Sequence, residues 1–218
     1  FPHVGVAIIT GSIELTGAAS SQKFVVDANG VSSSLDVSAS GYYGPSLTIG
    51  VANNLTRGTY TSIAGGKEHW VNSDYSFVGG GFRNRISGGV GYPVSYATIG
   101  GGNTNHISKS SNYATIGGGD NNRIKADAAH SFIGGGGTNA IDSVSHGTIG
   151  GGQDNHIGTS GQYGFIGGGQ SNKVDKTACV VVGGRYNTAS NFYNFVGGGE
   201  YNVNAGRWAF LGASSNNT

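Results

Sequence analysis

The stretch YATIGGGNTNHI at positions 96–107 recurs as YATIGGGDNNRI at positions 113–124. The same pattern returns along most of the chain: an aliphatic anchor, glycines, an Asn and a second aliphatic residue. The anchors are Ile49, Ile63, Val78, Ile99, Ile116, Ile133, Ile149, Ile166, Val182, Val196 and Leu211. Spacings of mostly 14–17 residues accommodate two short strands and two turns but no helix. The repeat therefore predicts an all-β, parallel β-solenoid or β-roll of about eleven short coils.

Alternation along each strand assigns the columns of the repeat to an inner and an outer face. The anchor, the small residue two before it and the aliphatic residue eight after it are expected to point inward. Triple glycines are expected to bend the chain with positive φ and to pack against the next coil. No Lys-Ser/Thr follows them, so they do not form a phosphate loop.

An Asn column follows the anchors by six residues and is predicted to have a structural role. Asn tolerates the left-handed conformation of a turn, and stacked amides can hydrogen-bond from coil to coil. Its members are Asn84, Asn105, Asn122, Asn139, Asn155, Asn172 and Asn202.

Two outward columns are rich in aromatic residues. Three positions before the anchor stand Tyr60, Tyr75, Tyr96, Tyr113, His130, His146, Tyr163, Cys179, Tyr193 and Trp208. One position before it, Thr alternates with Phe77, Phe132, Phe165, Phe195 and Phe210. Soluble monomers avoid large exposed apolar patches, and a single coil has a thin core. We therefore expect the Tyr and Trp residues, with Phe132 and Phe165, to form the interface of a homotrimer, although spacing alone leaves a dimer open.

His130 and His146 replace Tyr on two consecutive coils, so their rings are expected to lie about 5 Å apart. Around a threefold axis they would form two rings of three imidazoles. Such a cluster could hold a structural metal such as Zn²⁺, Ni²⁺ or Fe²⁺, or an anion if protonated. The alternative is that the imidazoles fill an aromatic slot and hydrogen-bond across the interface. No other cofactor is expected.

Composition limits the possible partners and compartments. The 43 glycines among 218 residues fall short of the one third that collagen requires. A net charge of +1 without long runs of either sign predicts no nucleic-acid binding, and no apolar stretch approaches a membrane span of about 20 residues. The single Cys179 excludes an internal disulfide. Residues 1–45 lack the repeat and are predicted to be a β-rich connector or cap before a solenoid at 46–218.

The aliphatic-Gly pairs preceded by small residues, as in YATIG at 96–100 and 113–117, resemble the head repeats of trimeric autotransporter adhesins. Arrays of IGGGxxN also resemble the shafts of bacteriophage and viral tail fibres. The adhesin resemblance implies a left-handed parallel β-roll assembled as a trimer, without enzymatic activity and with a role in attachment outside the cell. Both resemblances imply a stiff rod with a repetitive surface. We favour a fibre at the virion surface that contacts a cell-surface receptor or polysaccharide. A bacterial adhesin at the cell surface is the alternative.

A β-helix polysaccharide-degrading enzyme is the third alternative, because such enzymes use paired carboxylates. Asp120, Asp154 and Glu200 fall on coils that are not neighbours, which argues against a shared reaction centre. Three further acids are expected to form a solvated rim beside the second strand: Asp127, Asp142 and Asp175. Aromatic side chains that could stack on sugars are Tyr42, Tyr43, Trp70 and Tyr92.

Overall fold

The computed structural model of the chain describes residues 46–48, 55–56, 58–89 and 93–217. These residues form a parallel β-solenoid of about nine turns. They include no helix, and hence none long and apolar enough to cross a membrane. The predicted connector at 1–45, the anchor Ile49 and the aromatic residues Tyr42, Tyr43 and Tyr92 lie outside the described residues. Left-handedness and trimeric assembly stay predictions.

Two long ladders of two- and three-residue strands make up the solenoid, and the strands are numbered in chain order. Sheet A has eleven strands: β1 (Ser46–Thr48), β3 (Thr61–Ile63), β5 (Phe77–Val78), β7 (Thr98–Ile99), β9 (Thr115–Ile116), β11 (Phe132–Ile133), β13 (Thr148–Ile149), β15 (Phe165–Ile166), β17 (Val180–Val181), β19 (Phe195–Val196) and β22 (Phe210–Leu211). Sheet B has ten: β2 (Leu55–Thr56), β4 (Trp70–Asn72), β6 (Arg85–Ser87), β8 (His106–Ser108), β10 (Arg123–Ile124), β12 (Ala140–Ile141), β14 (His156–Ile157), β16 (Lys173–Val174), β18 (Thr188–Ala189) and β21 (Val203–Asn204). A small third sheet pairs β20 (Gly199–Glu200) with β23 (Ser214–Ser215).

Each coil contributes one strand to sheet A and one to sheet B, and equivalent repeat positions are in register. Ile116 lies opposite Ile99 and Ile133, and the Gly117 amide donates to the Ile133 carbonyl at 2.8 Å. The strands of one sheet thus hydrogen-bond only to the coils before and after them. This arrangement confirms the predicted parallel solenoid.

The core between the two sheets is a double row of aliphatic side chains. Ile116 of β9 and Ile124 of β10 are both fully buried, as are their counterparts from Ile63 to Val174. The small column two before the anchor is buried as well, for example at Ala97, Ala114 and Ser131. The predicted inward columns are therefore confirmed in the central coils.

One anchor was misassigned by one position. Val181 is fully buried, whereas Val182 is 47% exposed, so Val181 is the anchor of its coil. The error arises because three consecutive valines, at 180–182, leave the inward position ambiguous in the sequence.

The three glycines of a repeat have different roles, as the coil at 117–119 illustrates. A Cβ on Gly117 would lie 2.4 Å from the carbonyl oxygen of Gly134, so close contact with the next coil requires glycine there. Gly119 has φ +89° and an equally close neighbour in Gly136. By contrast, a Cβ on Gly118 would meet only the Gly101 carbonyl oxygen, at 4.0 Å. The predicted close packing thus applies to the first and third glycines, and the predicted positive φ to the third.

Two further positions per coil adopt the left-handed conformation with residues other than glycine. Tyr113 has φ 58° and Asn121 has φ 55°, and equivalent residues recur in almost every coil. The prediction that the Asn column itself takes this conformation is wrong. The residue immediately before each Asn does so, which turns the Asn side chain into the interior.

Candidate functional site

The Asn column forms a continuous buried ladder of amides along the solenoid. The Asn122 Oδ1 accepts the backbone N–H of Asn139 at 3.0 Å, and its Nδ2 donates to the carbonyl oxygens of Gly118 and Gly136, each at 2.9 Å. The same bonds recur from Asn84 to Asn202, and every one of these side chains is buried. The amides therefore connect consecutive coils and satisfy turn carbonyls, as the sequence predicted.

The aromatic column three positions before the anchor forms a stacked ladder that runs across sheet A, just before the chain enters each strand. Seven rings lie face to face at centroid distances of 4.9–5.1 Å: Tyr60, Tyr75, Tyr96, Tyr113, His130, His146 and Tyr163. Distances of 4.5–7 Å suit aromatic pairs, which contribute about 0.5–1.5 kcal/mol each. Stacking of consecutive rings thus helps to offset the strain of holding them at positive φ.

The outer face of sheet A beside this ladder is apolar and exposed within the chain. Tyr113 is 53% exposed, and the outward-pointing Phe132 and Phe165 are about 40% exposed. The Phe132 ring lies against Gly134, near enough that a Cβ there would be 3.5 Å from it. The two columns and the glycines form one continuous surface, which we call the aromatic face.

His130 and His146 occupy consecutive positions of the ladder with their ring centroids 5.1 Å apart. Tyr113 stacks on one side of the pair and Tyr163 on the other. The described part of the chain contains no group of three His, Cys, Asp or Glu residues able to hold a metal. The predicted metal or anion site would therefore need imidazoles from several chains, and it stays a prediction.

The predicted place of Cys179 in the aromatic column is wrong. Because Val181 is the anchor, Ala178 occupies the aromatic position and Cys179 the small inward one, where it is fully buried. Its thiol donates to the Asn191 carbonyl at 2.8 Å, and burial raises its pKa. The ladder is consequently interrupted at Ala178 and resumes with Tyr193 stacked on Trp208 at 3.9 Å.

The outer face of sheet B is polar and carries a row of basic side chains. Arg85 of β6, His106 of β8 and Arg123 of β10 lie in register on three consecutive coils. His106 is held by the Ser87 hydroxyl, with 2.7 Å between Nε2 and Oγ. Burial, with a further contribution from the two flanking guanidinium groups, lowers the His106 pKa to about 4. His106 is therefore neutral at pH 7, which limits repulsion within the row.

Two acidic residues that directly follow strands of sheet B, Asp142 and Asp175, pair with basic side chains. Asp142 contacts the Lys125 ammonium at 2.8 Å and the His156 ring at 3.1 Å, and only 16% of its side chain is exposed. Burial opposes its ionisation, but hydrogen bonds from those two partners outweigh it and lower the Asp142 pKa. Asp175 pairs with Lys173 at 2.9 Å. The predicted solvated rim is therefore wrong for Asp142, which belongs to an ion-pair network.

The chain matches no model of a known protein family, and no curated protein matches it. Its function is therefore inferred from the residues of the solenoid itself.

Sequence reasoning missed two members of the Asn ladder and the basic row. Asn187 is fully buried and accepts the Asn202 amide at 3.1 Å, and it would have been found by moving the anchor to Val181. His69 takes the Asn position in an early coil, where its Nδ1 accepts the Asn84 amide at 3.1 Å. The basic row could have been found by reading the column before the second aliphatic residue, where Arg85, His106 and Arg123 align.

Proposed function

We propose that this chain is a non-enzymatic segment of a homotrimeric fibre, which acts as a rod and in host attachment at the surface of a phage or virus. The single observation that carries this proposal is the aromatic face. It runs along the solenoid as an exposed, largely aromatic strip that is interrupted at Ala178, and such strips are typical of surfaces covered by another subunit. Identical rods that associate in parallel would cover it along their whole length.

The surroundings of three acidic residues support the proposal that the chain is not an enzyme. Asp120 is an exposed turn residue that accepts from Asn103 at 2.6 Å, and Asp142 and Asp175 are engaged by Lys and His. A polysaccharide-cleaving enzyme needs a carboxyl kept protonated as a general acid, usually through a raised pKa. The Asp142 pKa is lowered instead.

Sedimentation equilibrium at micromolar concentration tests the trimer. We expect three times the chain mass of 22.0 kDa for the natural sequence. Thr115→Lys places a charge on the aromatic face beside Ile116, and it should shift the equilibrium to monomers. Thr188→Lys makes the same change on the outer face of sheet B and should leave the trimer intact. A well-folded natural monomer, or equal effects of the two variants, would contradict the proposal.

Antibodies against the solenoid, applied to the biological source of the chain, and an activity assay together distinguish the three functional alternatives. Immunogold label on virion fibres would support the proposal. Label on the bacterial cell surface would identify an adhesin instead, and release of oligosaccharides from polymers by the purified protein would establish an enzyme.

A further inference from the structure

A row of basic residues lies on the outer face of sheet B, on the other side of the solenoid core from the aromatic face. Arg85 and Arg123 are exposed and flank the half-buried His106. At about 4.8 Å per coil, the two guanidinium-bearing residues are separated by about 10 Å. The fold assembles this row from three coils, so no basic run is visible along the sequence.

A cavity of about 450 Å³ opens beside the basic row, at the edge where the chain returns from sheet B to sheet A. The polar side chains lining it are Arg85, Ser87, Ser108, Lys109 and Lys125. No carboxylate lines it among the described residues, and Asp142, which pairs with Lys125 and His156, lines a separate depression. The cavity therefore combines positive charge with hydroxyl groups.

Trp70 lies one coil before Arg85 and extends the basic row toward the start of the chain. It lies in register with Arg85, whose guanidinium carbon is 4.5 Å from the Trp ring centroid, and the Trp side chain remains partly exposed. Hydroxyls, cations and an aromatic ring are the groups that bind a sugar bearing a negative charge, because the ring offers an apolar face and the others hydrogen-bond. Volumes of 300–1,000 Å³ are typical of small-ligand sites.

We propose that Arg85, His106 and Arg123, with the adjoining cavity, bind an acidic saccharide through its carboxylate or sulfate group. The site lies within one chain, so the inference goes beyond the proposed trimer and does not require it. The arginines would contact the anion, the Ser87 and Ser108 hydroxyls would contact sugar oxygens, and the neutral His106 would donate one ring N–H. A nucleic acid fits less well because its affinity comes mainly from many contacts to phosphates, and this row offers two guanidinium groups on three coils.

The experiment measures binding of defined probes to the intact chain by calorimetry at physiological salt. The probes are a sulfated disaccharide, an oligogalacturonate, a neutral maltooligosaccharide, inorganic sulfate and a DNA duplex. We expect the two acidic saccharides to bind and the neutral sugar not to bind. Each of Arg85→Gln and Arg123→Gln should weaken binding by about tenfold, as expected for loss of a charge-assisted hydrogen bond.

Arg83→Gln is the matched control, because it removes the same charge two residues from Arg85. Arg83 is already paired with Glu68 at 2.6 Å, so its loss should change affinity less than twofold. A second readout needs no variant: the His106 pKa, followed by NMR, should rise when the acidic saccharide binds and should not respond to the neutral sugar.

Several results would overturn the assignment. Equal loss of affinity in Arg83→Gln would indicate general attraction to a cationic surface. Sulfate binding as tightly as the sulfated disaccharide would indicate a site for a free ion, and tighter binding of DNA would indicate a nucleic-acid surface. Absence of binding by both acidic saccharides would reject the site itself. Because the oligomeric state is measured separately, none of these results is confused with failure of the proposed trimer.

Discussion

Removing one amide from the middle of the Asn ladder should destabilise the solenoid far more than removing an exposed one. Asn122→Ala leaves the buried N–H of Asn139 without its acceptor, which costs about 1–3 kcal/mol. It also removes two part-buried bonds to Gly118 and Gly136, worth about 0.5–1.5 kcal/mol each. The Gly136 carbonyl still accepts the Asp120 amide, so it is not left unpaired. The expected loss is about 3 kcal/mol.

Urea unfolding followed by circular dichroism, at one fixed protein concentration, measures this loss. Asn103→Ala is the matched control, because Asn103 is exposed and its side chain makes only bonds exposed to water. We expect the control to lose less than about 0.5 kcal/mol. Similar unfolding midpoints and slopes for the two variants would refute the view that the amide ladder holds the coils together.

Asn122→Asp sharpens the test because it preserves the size of the side chain. A carboxylate oxygen in place of Nδ2 would face three acceptor oxygens, those of Gly118, Gly136 and Asn105. Protonation supplies one donor, so the pKa of the introduced carboxyl must be raised in the folded state. A raised pKa means that the variant is most stable at low pH and loses stability as pH rises. Stability independent of pH in this variant, relative to the natural chain, would contradict the geometry.

Three further predictions concern other columns of the repeat. The pKa of His106 is about 4 in the folded state, against 6.5 for an unperturbed histidine, so unfolded chains bind its proton first as pH falls. The free energy of unfolding of the natural chain should therefore drop by up to about 3 kcal/mol more between pH 7 and 4 than that of His106→Asn, as measured by urea titration. Ile116→Asp should cost several kcal/mol and Asp120→Ala less than about 0.5, so equal melting temperatures would mean that inside and outside are reversed. Gly119→Ala should unfold the coil, because the added Cβ would lie 2.1 Å from the Gly136 carbonyl oxygen. Gly118→Ala should leave the melting temperature of the isolated chain unchanged, because its Cβ would meet only the Gly101 carbonyl oxygen, at 4.0 Å.

The solenoid could be predicted from the length of the repeat and from the polarity of its columns. Backbone hydrogen bonds between coils hold equivalent residues in register, so each column of the sequence becomes one row of side chains in the fold. Ile116 and Ile124 could be placed inside from spacing alone. Ambiguity remained where two inward candidates are adjacent, as at Val181 and Val182, since local sequence does not say which of two valines faces the core.

The functional surfaces were predictable to different extents. The aromatic face is made of two columns that recur at fixed positions before the anchor, so it is visible in the sequence, except where the misplaced anchor put Cys179 in line with Tyr163. The basic row joins residues about twenty positions apart that differ in type. Without knowing that sheet B places Arg85 beside His106, sequence reasoning had no basis for grouping them.

Length variation in the repeat is confined to one edge of the solenoid. Eight positions separate the two buried residues of each coil, as with Ile99 and Ile107, because glycines and the Asn ladder constrain that turn. The return to the next coil varies, from seven positions between Val174 and Val181 to thirteen between Ile86 and Ile99. Insertions during evolution can therefore accumulate along the return edge without altering coil stacking. This edge also borders the cavity beside Arg85, so changes in loop length could remodel the cavity while the stacked coils stay the same.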